Sequence, residues 1–147
     1  MLFSLNGVFI IDTILLNALN GCDTDTIYLD FAKAFDKVDH NVLRKKLISF
    51  GIKGKVYAWI DSFLSNRSQH VVVDGVSSYH TPVISGVPQG TVLGPILFLI
   101  YINDLNTCVQ DSILRNFADD SRISKAIESS LDCKKLQQDL NRAVTWS

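Results

Sequence analysis

The 147-residue sequence predicts an α+β domain with a largely antiparallel sheet. Three observations support this class. β-rich runs alternate with helical patterns, Asp74-Gly75 separates two β-rich stretches, and a second strand-turn-strand pattern surrounds Ala118-Asp119-Asp120. An Asp-Gly pair between two such stretches is a strong hairpin signal. Helices mixed with strands that pair through hairpins are typical of the α+β class, and no repeat or linker divides the chain.

The first half of the chain contains three segments with the apolar spacing of helices and one with the composition of a strand. The helical segments are residues 11–19, Asn41–Phe50 and Lys55–Leu64. Gly51 follows the second of them, which is typical of a helix C-cap. The predicted strand is Thr26–Leu29, and Asp30 closes it.

The second half begins its regular structure after a loop, GVPQGTVLGP, that is rich in Gly and Pro. An apolar helix follows this loop, and Pro95 suits its first turn because proline tolerates that position. Ile113–Phe117 is predicted as a strand and Ser121–Ser124 as its returning partner.

The last segment is predicted to be an amphipathic helix. Leu136, Leu140 and Val144 recur at helical spacing and define one face. Ser129 precedes Asp132 by three residues, a pair that can cap the start of a helix.

Composition limits the possible functions. The chain is 47% hydrophobic and 20% charged, which supports a folded core. Fourteen Lys and Arg against fifteen Asp and Glu give a net charge of −1, so either the chain does not bind nucleic acid or the basic part lies elsewhere. Three cysteines without metal-ligand spacing indicate reduced thiols. The apolar runs are interrupted or short, so we expect a soluble intracellular protein, cytoplasmic or nuclear, without a membrane span.

Two carboxylate positions adjoin apolar sequence. Asp30 ends a predicted strand, and Asp119 and Asp120 lie in the predicted turn of a hairpin. Clustered carboxylates repel one another, and Mg²⁺ is a cation that prefers such oxygen ligands. Each acid taken alone is more typical of a solvated turn or a helix cap. Asp36 and Asp39 are rival ligands, although we interpret them as residues that begin the next helix.

A different phosphotransfer signal lies at Asp23-Thr24-Asp25-Thr26. This D-x-D-x-T pattern resembles that of haloacid-dehalogenase-type phosphatases, in which it follows a buried strand. Here the pattern precedes the predicted strand, so we interpret it as a loop.

Three segments together resemble the catalytic blocks of reverse transcriptases. YLDFAKAFDKVDH resembles the first block, D-x-x-x-A-F-D-x-V; GVPQGTVLGPILFLIYINDL resembles the second, with its P-Q-G core; FADD resembles the aromatic-x-D-D box. They occur in the order found in the family. The helical segments between them and the VVVDG hairpin resemble the non-LTR, LINE-type and jockey-like branch, and the resemblance covers Thr26 to Ser147.

The resemblance implies roles for the acids and for the residues near Asp30. Asp30, Asp119 and Asp120 would be the catalytic residues and would hold two Mg²⁺ or Mn²⁺ ions. The backbone after Asp30, including Phe31 and Ala34, would bind the triphosphate of the incoming nucleotide. Phe35 falls at the steric-gate position, where a ring excludes a ribose 2′-hydroxyl. Without the family, simple core packing is the first interpretation of Phe35.

The second block implies contacts with nucleic acid. Gln89 and Gly90 would contact the templating base pair and the nucleotide, because glycine lets backbone approach closely and the Gln amide both donates and accepts. Pro88 would stiffen the loop. Arg115 and Arg122 flank the acidic hairpin and are interpreted as solvated charges that can also meet phosphates. Leu114 and Phe117 are expected to pack beneath it.

The fold implied by the resemblance is a polymerase palm, RRM-like or ferredoxin-like, from which fingers and thumb are largely absent. Residues 1–147 would form this partial domain, with residues 1–25 a remnant of the connection between fingers and palm. The implied function is RNA-directed DNA synthesis by two-metal nucleotidyl transfer, with RNA template, DNA primer and dNTP as partners. The alternative is an inactive relic or a non-enzymatic interaction fragment.

Overall fold

The computed structural model describes residues 14–117 and 120–146. The chain divides into two compact units. Residues 1–32 and 103–147 form the first, which we name the sheet unit, and residues 33–102 form the second, the helix unit. In chain order the described elements are α1 (14–19), β1 (Asp23–Asp30), α2 (His40–Ser49), α3 (Gly54–Leu64), β2 (Ser68–Gln69), β3 (Val72–Val73), β4 (Val76–Ser77), β5 (Thr81–Pro82), α4 (Leu93–Ile102), α5 (Leu105–Cys108), β6 (Ile113–Phe117), β7 (Asp120–Ile127) and α6 (Ser130–Trp146).

The sheet unit contains a three-stranded antiparallel sheet in the order β1-β7-β6. Its central strand, β7, pairs with β1 over all eight residues, from Asp23 opposite Ile127 to Asp30 opposite Asp120. The predicted mixture of helices and antiparallel strands is therefore confirmed. Residues 11–13 of the first predicted helix lie outside the described residues, and residues 14–19 are helical.

The start of β1 corrects the interpretation of Asp23-Thr24-Asp25-Thr26 as a loop. All four residues belong to the strand, and each has a partner on β7. The Thr24 hydroxyl accepts a hydrogen bond from the Asn17 amide at 3.0 Å, and Thr26 Oγ1 lies 3.1 Å from Ser124 Oγ. Long-range pairing thus outweighs the low strand propensity of aspartate. For the same reason β7 continues to Ile127, beyond the predicted end at Ser124.

Helix α6 contacts β7, and its buried side chains share Leu136 with the predicted face but otherwise differ from it. Leu136, Asp139 and Ala143 are buried, whereas Val144 is 63% exposed. The prediction counted only apolar residues as buried. It therefore assigned Leu140 and Val144 to the buried face and did not include Asp139. The predicted cap is confirmed, because the Asp132 carboxylate accepts hydrogen bonds from the backbone and hydroxyl of Ser129 at 3.1 and 2.8 Å.

In the helix unit, α2 and α3 confirm the predicted helices. Asp39 caps α2, and its carboxylate accepts hydrogen bonds from the backbone N–H groups of Asn41 and Val42. Gly51, at φ +79°, ends α2 with its N–H bonded to the Ile48 carbonyl, as expected for a glycine C-cap. The apolar core of this unit comprises Val38, Leu43, Leu47, Ile60, Leu64, Val87, Leu97, Phe98 and Ile102.

The predicted hairpin is present as two short ladders, β3 with β4 and β2 with β5. Asp74 and Gly75 connect β3 to β4 with φ values of +50° and +80°, the combination that a type I′ turn requires. Pro95 lies in the first turn of α4, as predicted, while Val92 before the helix is exposed. None of the helices within the described ranges has the length and apolar character needed to cross a bilayer. The three cysteines are free thiols.

Candidate active site

The ends of two neighbouring strands bring two predicted site acids together. Asp30 is the last residue of β1 and Asp120 the first of β7, and they are direct partners in the antiparallel register. Direct partners have Cα atoms about 4.5–5.5 Å apart and point their side chains to the same face. Both side chains are exposed. Asp119, the third predicted acid, lies outside the described residues, one position before Asp120.

The two strands on either side of residues 118–119 are paired up to their ends. Phe117 is paired with Asp120, so only two residues connect β6 to β7. Leu114 is buried behind the hairpin, as predicted, whereas the packing of the Phe117 side chain lies outside the described residues. Asp119 directly precedes Asp120 in the sequence.

The carboxylates of Asp30 and Asp120 have no hydrogen-bonded or ion-paired partner among the described residues. Arg122 lies two residues along β7, but its guanidinium stacks over the Tyr28 ring at 5.6 Å. Two like charges directly opposite one another destabilise a strand pair. The arrangement therefore has the electrostatic character of a cation site.

The donor chemistry at this end of the sheet suits a hard divalent cation. Two adjacent carboxylates provide the oxygen ligands with which proteins commonly hold Mg²⁺ or Mn²⁺. Within the part of the chain that the structure describes, no group of three or more acidic, histidine or cysteine side chains forms a metal cluster. Asp30 and Asp120 are two carboxylates of this kind, and Asp119 directly precedes Asp120 in the sequence.

An aromatic contact supports the end of β1. The ring of Phe31, directly after Asp30, meets Trp146 of α6 edge to face with centroids 6.2 Å apart. The indole N–H of Trp146 donates to the Asp104 carboxylate at 3.0 Å, which fixes the orientation of the ring. Sequence reasoning missed this contact, although a tryptophan near the end of an amphipathic helix was an available signal.

A buried carboxylate, Asp139, fixes the start of β6. It has no exposed surface and accepts hydrogen bonds from the backbone N–H groups of Gln110 and Asp111 at 2.8 and 3.1 Å. Arg142, one turn along α6, forms an ion pair with it. Burial by itself raises the pKa of Asp139, but these hydrogen bonds outweigh burial and the pKa is lowered. This network anchors the segment that leads into the acidic hairpin.

In the helix unit, Phe35 is held from two sides. Its ring stacks on Phe98 of α4 with centroids 4.4 Å apart and planes 24° apart, and its carbonyl accepts a hydrogen bond from the Val87 N–H at 2.9 Å. Ala34, beside it, is half-buried. The interpretation of Phe35 as a packed residue is therefore correct. This packing is also compatible with the steric-gate role implied by the family resemblance.

The Pro88-Gln89-Gly90 loop is braced by its own neighbours. The Thr91 hydroxyl donates to the Pro88 carbonyl at 2.8 Å and accepts from the Gly94 N–H at 3.0 Å. Gln89 and Gly90 are exposed, and Gly90 has a φ of +76° that favours glycine. A cavity of about 720 Å³ opens beside this loop. Its lining includes the polar and charged residues Lys33, Asp36, Arg67, Gln69 and Gln89.

Comparison with known proteins agrees with these features. The sequence profile of the family described as "Reverse transcriptase (RNA-dependent DNA polymerase)" matches residues 10–147. The chain is similar to the "RNA-directed DNA polymerase from mobile element jockey" of Drosophila melanogaster, with 34% identity over 128 residues that cover 82% of this chain and 14% of that protein. It is also similar to the "Retrovirus-related Pol polyprotein from type-1 retrotransposable element R2" of Popillia japonica, with 32% identity over 96 residues that cover 65% of this chain and 16% of that protein.

The chain belongs to the reverse transcriptase family. Its relatives place it in the jockey-like branch of non-LTR retrotransposon reverse transcriptases; a second jockey relative, from Drosophila funebris, is 31% identical over 82% of the chain. The chain spans about one seventh of the length of the jockey proteins, 14% in each case.

Proposed function

We propose that this chain is palm sequence of an RNA-directed DNA polymerase, which adds dNTPs to the 3′-hydroxyl of a DNA primer on an RNA template. The observation that carries the proposal is the register of β1 against β7. It makes Asp30 and Asp120 direct partners, with Asp119 one residue away. Two opposed carboxylates without a cationic partner among the described residues are an arrangement that a bound cation stabilises.

Asp30, Asp119 and Asp120 are the ligands in this proposal. Two Mg²⁺ or Mn²⁺ ions held by these residues would supply charge stabilisation for an in-line phosphoryl displacement. The chain's own contribution is to hold the carboxylates at adjacent strand ends, where the register fixes their separation. The pairing of Phe117 with Asp120 and the Phe31–Trp146 contact limit movement of these ends.

The roles of the nucleotide- and template-contacting residues are inferred from membership of the reverse transcriptase family. The backbone at Phe31 and Ala34 binds the triphosphate, and the ring of Phe35 excludes a ribose 2′-hydroxyl. Gln89 and Gly90 contact the templating base pair and the nucleotide, and Pro88 stiffens their loop. The stack of Phe35 on Phe98 supports the gate role, because a ring that discriminates by collision has to resist displacement.

We also propose that the antiparallel sheet with α6 is the RRM-like core of a partial palm. Residues 1–147 are then one partial reverse transcriptase domain, with residues 1–25 a remnant of the connection to the fingers. The cationic surfaces that grip template, primer and triphosphate belong to fingers and thumb. This assignment accounts for a net charge of −1 in a polymerase chain, since a palm supplies acids.

Manganese relaxation or calorimetry on the purified chain tests the metal site. We expect binding in about the millimolar range, because carboxylates without a preformed cage hold such ions weakly. Asp119→Asn and Asp120→Asn should each weaken it. The matched control is Asp25→Asn, an exposed acid on the same strand as Asp30 but nearer its other end. Equal responses from wild type and Asp119→Asn would remove the proposed site.

The alternative function is that of an inactive relic or interaction fragment. The balanced charge favours it, since fourteen basic residues offset by fifteen acidic ones leave no excess for phosphate contacts. Positioning contributes much of phosphoryl-transfer catalysis. We therefore expect negligible primer extension by the isolated chain on an RNA template. Robust DNA synthesis would refute the claim that other parts of a polymerase are needed.

A further inference from the structure

Inside the helix unit, two segments that are far apart in sequence are joined backbone to backbone. The last six residues of the first catalytic block, residues 35–40, lie against residues 85–87, directly before Pro88-Gln89-Gly90. Gly86 N–H donates to the Val38 carbonyl at 2.9 Å, and Val87 N–H donates to the Phe35 carbonyl at 2.9 Å. Asp39 and Ser85 form an antiparallel bridge. We name these two paired segments the clamp.

Two side chains complete the clamp by sharing one acceptor, the carbonyl of Gly86. His40 Nε2 lies 2.8 Å from this oxygen and Arg67 donates to it at 2.7 Å. A carbonyl has two lone pairs and accepts both bonds. His40 is buried, so its Nε2 needs a partner, and in this contact Nε2 is the donor because a carbonyl oxygen can only accept. Arg67 also donates to the Leu64 carbonyl at 3.2 Å, which ties the clamp to the end of α3.

Gly86 itself is required by the closeness of the two backbones. Its φ is +84°, and a Cβ placed on it would lie 2.8 Å from the Asp36 carbonyl oxygen and 2.9 Å from the Asp36 Cα. Both are backbone atoms, which cannot move aside as a flexible side chain can. A side chain at residue 86 therefore has to separate the two segments. Gly51 has nearly the same φ, +79°, but a Cβ placed on it would have no neighbour within 4 Å, so Gly51 isolates the effect of φ alone.

The clamp determines where the Phe35 ring stands relative to the Pro88-Gln89-Gly90 loop. The Phe35 carbonyl is bonded to Val87, one residue before Pro88. Its ring stacks on Phe98, in the helix that follows the loop. The ring and the loop are thus connected both through the clamp and through α4. A shift of residues 85–87 therefore has to move the Phe35 ring relative to the Pro88-Gln89-Gly90 loop.

We propose that His40, Arg67 and Gly86 are positioning residues for sugar selection, and that the clamp holds Phe35 at the depth where it meets a ribose 2′-hydroxyl. This inference deepens the proposed function and rests on it. None of the three residues belongs to the metal ligands or to the nucleotide-contacting residues proposed above. They act through Phe35, by fixing its backbone against the loop.

The test compares dATP and ATP binding to the whole 147-residue chain in the presence of Mn²⁺. The measured quantity is the ratio of the ATP to the dATP dissociation constant. We expect wild type to have a ratio above one, and His40→Leu to lower it severalfold toward one. His40→Gln should restore the wild-type ratio, because the Gln amide can donate to the Gly86 carbonyl. His70→Leu is the control, since His70 is exposed on the hairpin.

Gly86→Ala provides a second disruption of the clamp, with Gly51→Ala as the control matched in φ. We expect Gly86→Ala to lower the ratio and Gly51→Ala to leave it unchanged. Hydrogen exchange supplies a structural readout on the same samples. Exchange of the Gly86 and Val87 amides should accelerate by about tenfold or more in His40→Leu, because local opening of the clamp becomes easier.

The possible outcomes separate the positioning role from the proposed function. A variant that only loses folded protein binds less of both nucleotides, and the ratio of the two dissociation constants stays the same. An unchanged ratio in His40→Leu overturns the positioning role and leaves the proposed function standing. Unchanged exchange at Val87 overturns it as well. A wild-type chain that binds neither nucleotide, while its clamp amides are protected, contradicts the proposed function and removes the positioning role with it. Equal binding of both nucleotides by wild type eliminates Phe35 as a gate and hence the inference.

Discussion

The sheet unit and the helix unit hold their candidate functional groups by different means. In the sheet unit, the register of an eight-residue strand pair sets Asp30 opposite Asp120, and a buried charged network at Asp139 anchors the incoming strand. In the helix unit, Phe35 and the Pro88-Gln89-Gly90 loop are not on regular elements. They are held by backbone bonds between two irregular segments and by one aromatic stack.

Because the two units hold these groups differently, we expect them to tolerate different substitutions. A strand register is set by many equivalent hydrogen bonds. The positions of Asp30 and Asp120 therefore depend on the whole β1–β7 ladder and on the groups that anchor its ends. The clamp has only a few bonds, and single residues such as Gly86 are indispensable to it because no side chain fits there. We expect the sheet unit to be sensitive to charge and pH, and the helix unit to be sensitive to shape.

The largest effect is expected from Asp139→Ala. It leaves two backbone N–H groups without their acceptor and Arg142 without its buried partner, so the free energy of unfolding should fall by about 3 kcal/mol. The matched control is Asp61→Ala in the helix unit. Its ion pair with Arg44 is partly exposed, and its removal should cost less than about 1 kcal/mol. Urea denaturation measures both, and equal losses would abolish the contrast between the units.

Asp30→Asn should change stability in opposite directions with and without metal. Without metal it removes repulsion from Asp120 and should stabilise the chain by about 0.5 kcal/mol. With Mn²⁺ at about one hundred times the dissociation constant, wild type should gain about 2.7 kcal/mol, and the variant should lose most of that gain. Thermal unfolding in both conditions measures the two effects. A variant less stable than wild type without metal would contradict the idea that the acids repel each other.

Acid should reduce the contribution of Asp139 to stability. Its pKa in the folded chain lies below the ordinary value of 3.8, so the ionised form stabilises the fold at neutral pH. That contribution is complete above the unfolded pKa and is lost as the pH falls through 3.8 towards the folded pKa. The stability difference between wild type and Asp139→Asn should therefore shrink below about pH 4. Asp39 and Asp132 also have lowered pKa values, but both residues are present in wild type and in the variant. Their contributions to the pH dependence of stability therefore cancel in the difference. A difference that is constant from about pH 6 to about pH 3 would exclude this origin.

The smallest effect is expected from Gly75→Ala at the tip of the hairpin. Alanine at a φ of +80° should cost about 1 kcal/mol, and there is no neighbour for its Cβ to meet. The hairpin residues are exposed, so the change should remain local. Amide exchange should accelerate at Val73 and Val76 but not at Val87. Faster exchange at Val87 would show that the hairpin and the clamp are one cooperative element.

Features with a strong local signal were predicted from the sequence. Asp74-Gly75 adopts the expected turn because only certain residues accept two successive positive φ values. Asp39, Gly51 and Asp132 end or begin helices through bonds to their near neighbours. The sequence only permits Asp30 and Asp120 to meet across adjacent strands, and the long-range register of β1 against β7 pairs them. Their metal binding and the role of Asp119 stay predictions.

Features that depend on distant partners were missed. Asp23 and Asp25 looked like loop residues, and they join β1 only because β7 lies alongside. The predicted apolar face of the last helix did not include Asp139, whose partners at Gln110 and Asp111 are almost thirty residues away. The clamp escaped notice for the same reason, because no local pattern marks a histidine or a glycine that meets a segment some fifty residues distant.

The family, the order of its three catalytic blocks, the helix caps and the hairpin turn could be predicted, because each depends on residues that lie close together in the chain. Tertiary structure alone decided the register that makes Asp30 and Asp120 neighbours, the burial of Asp139 and the union of Gly86 with residues 36–40. The physical reason is that backbone bonding and desolvation between remote segments depend on which surfaces meet, and a one-dimensional pattern records only which residues are available to meet.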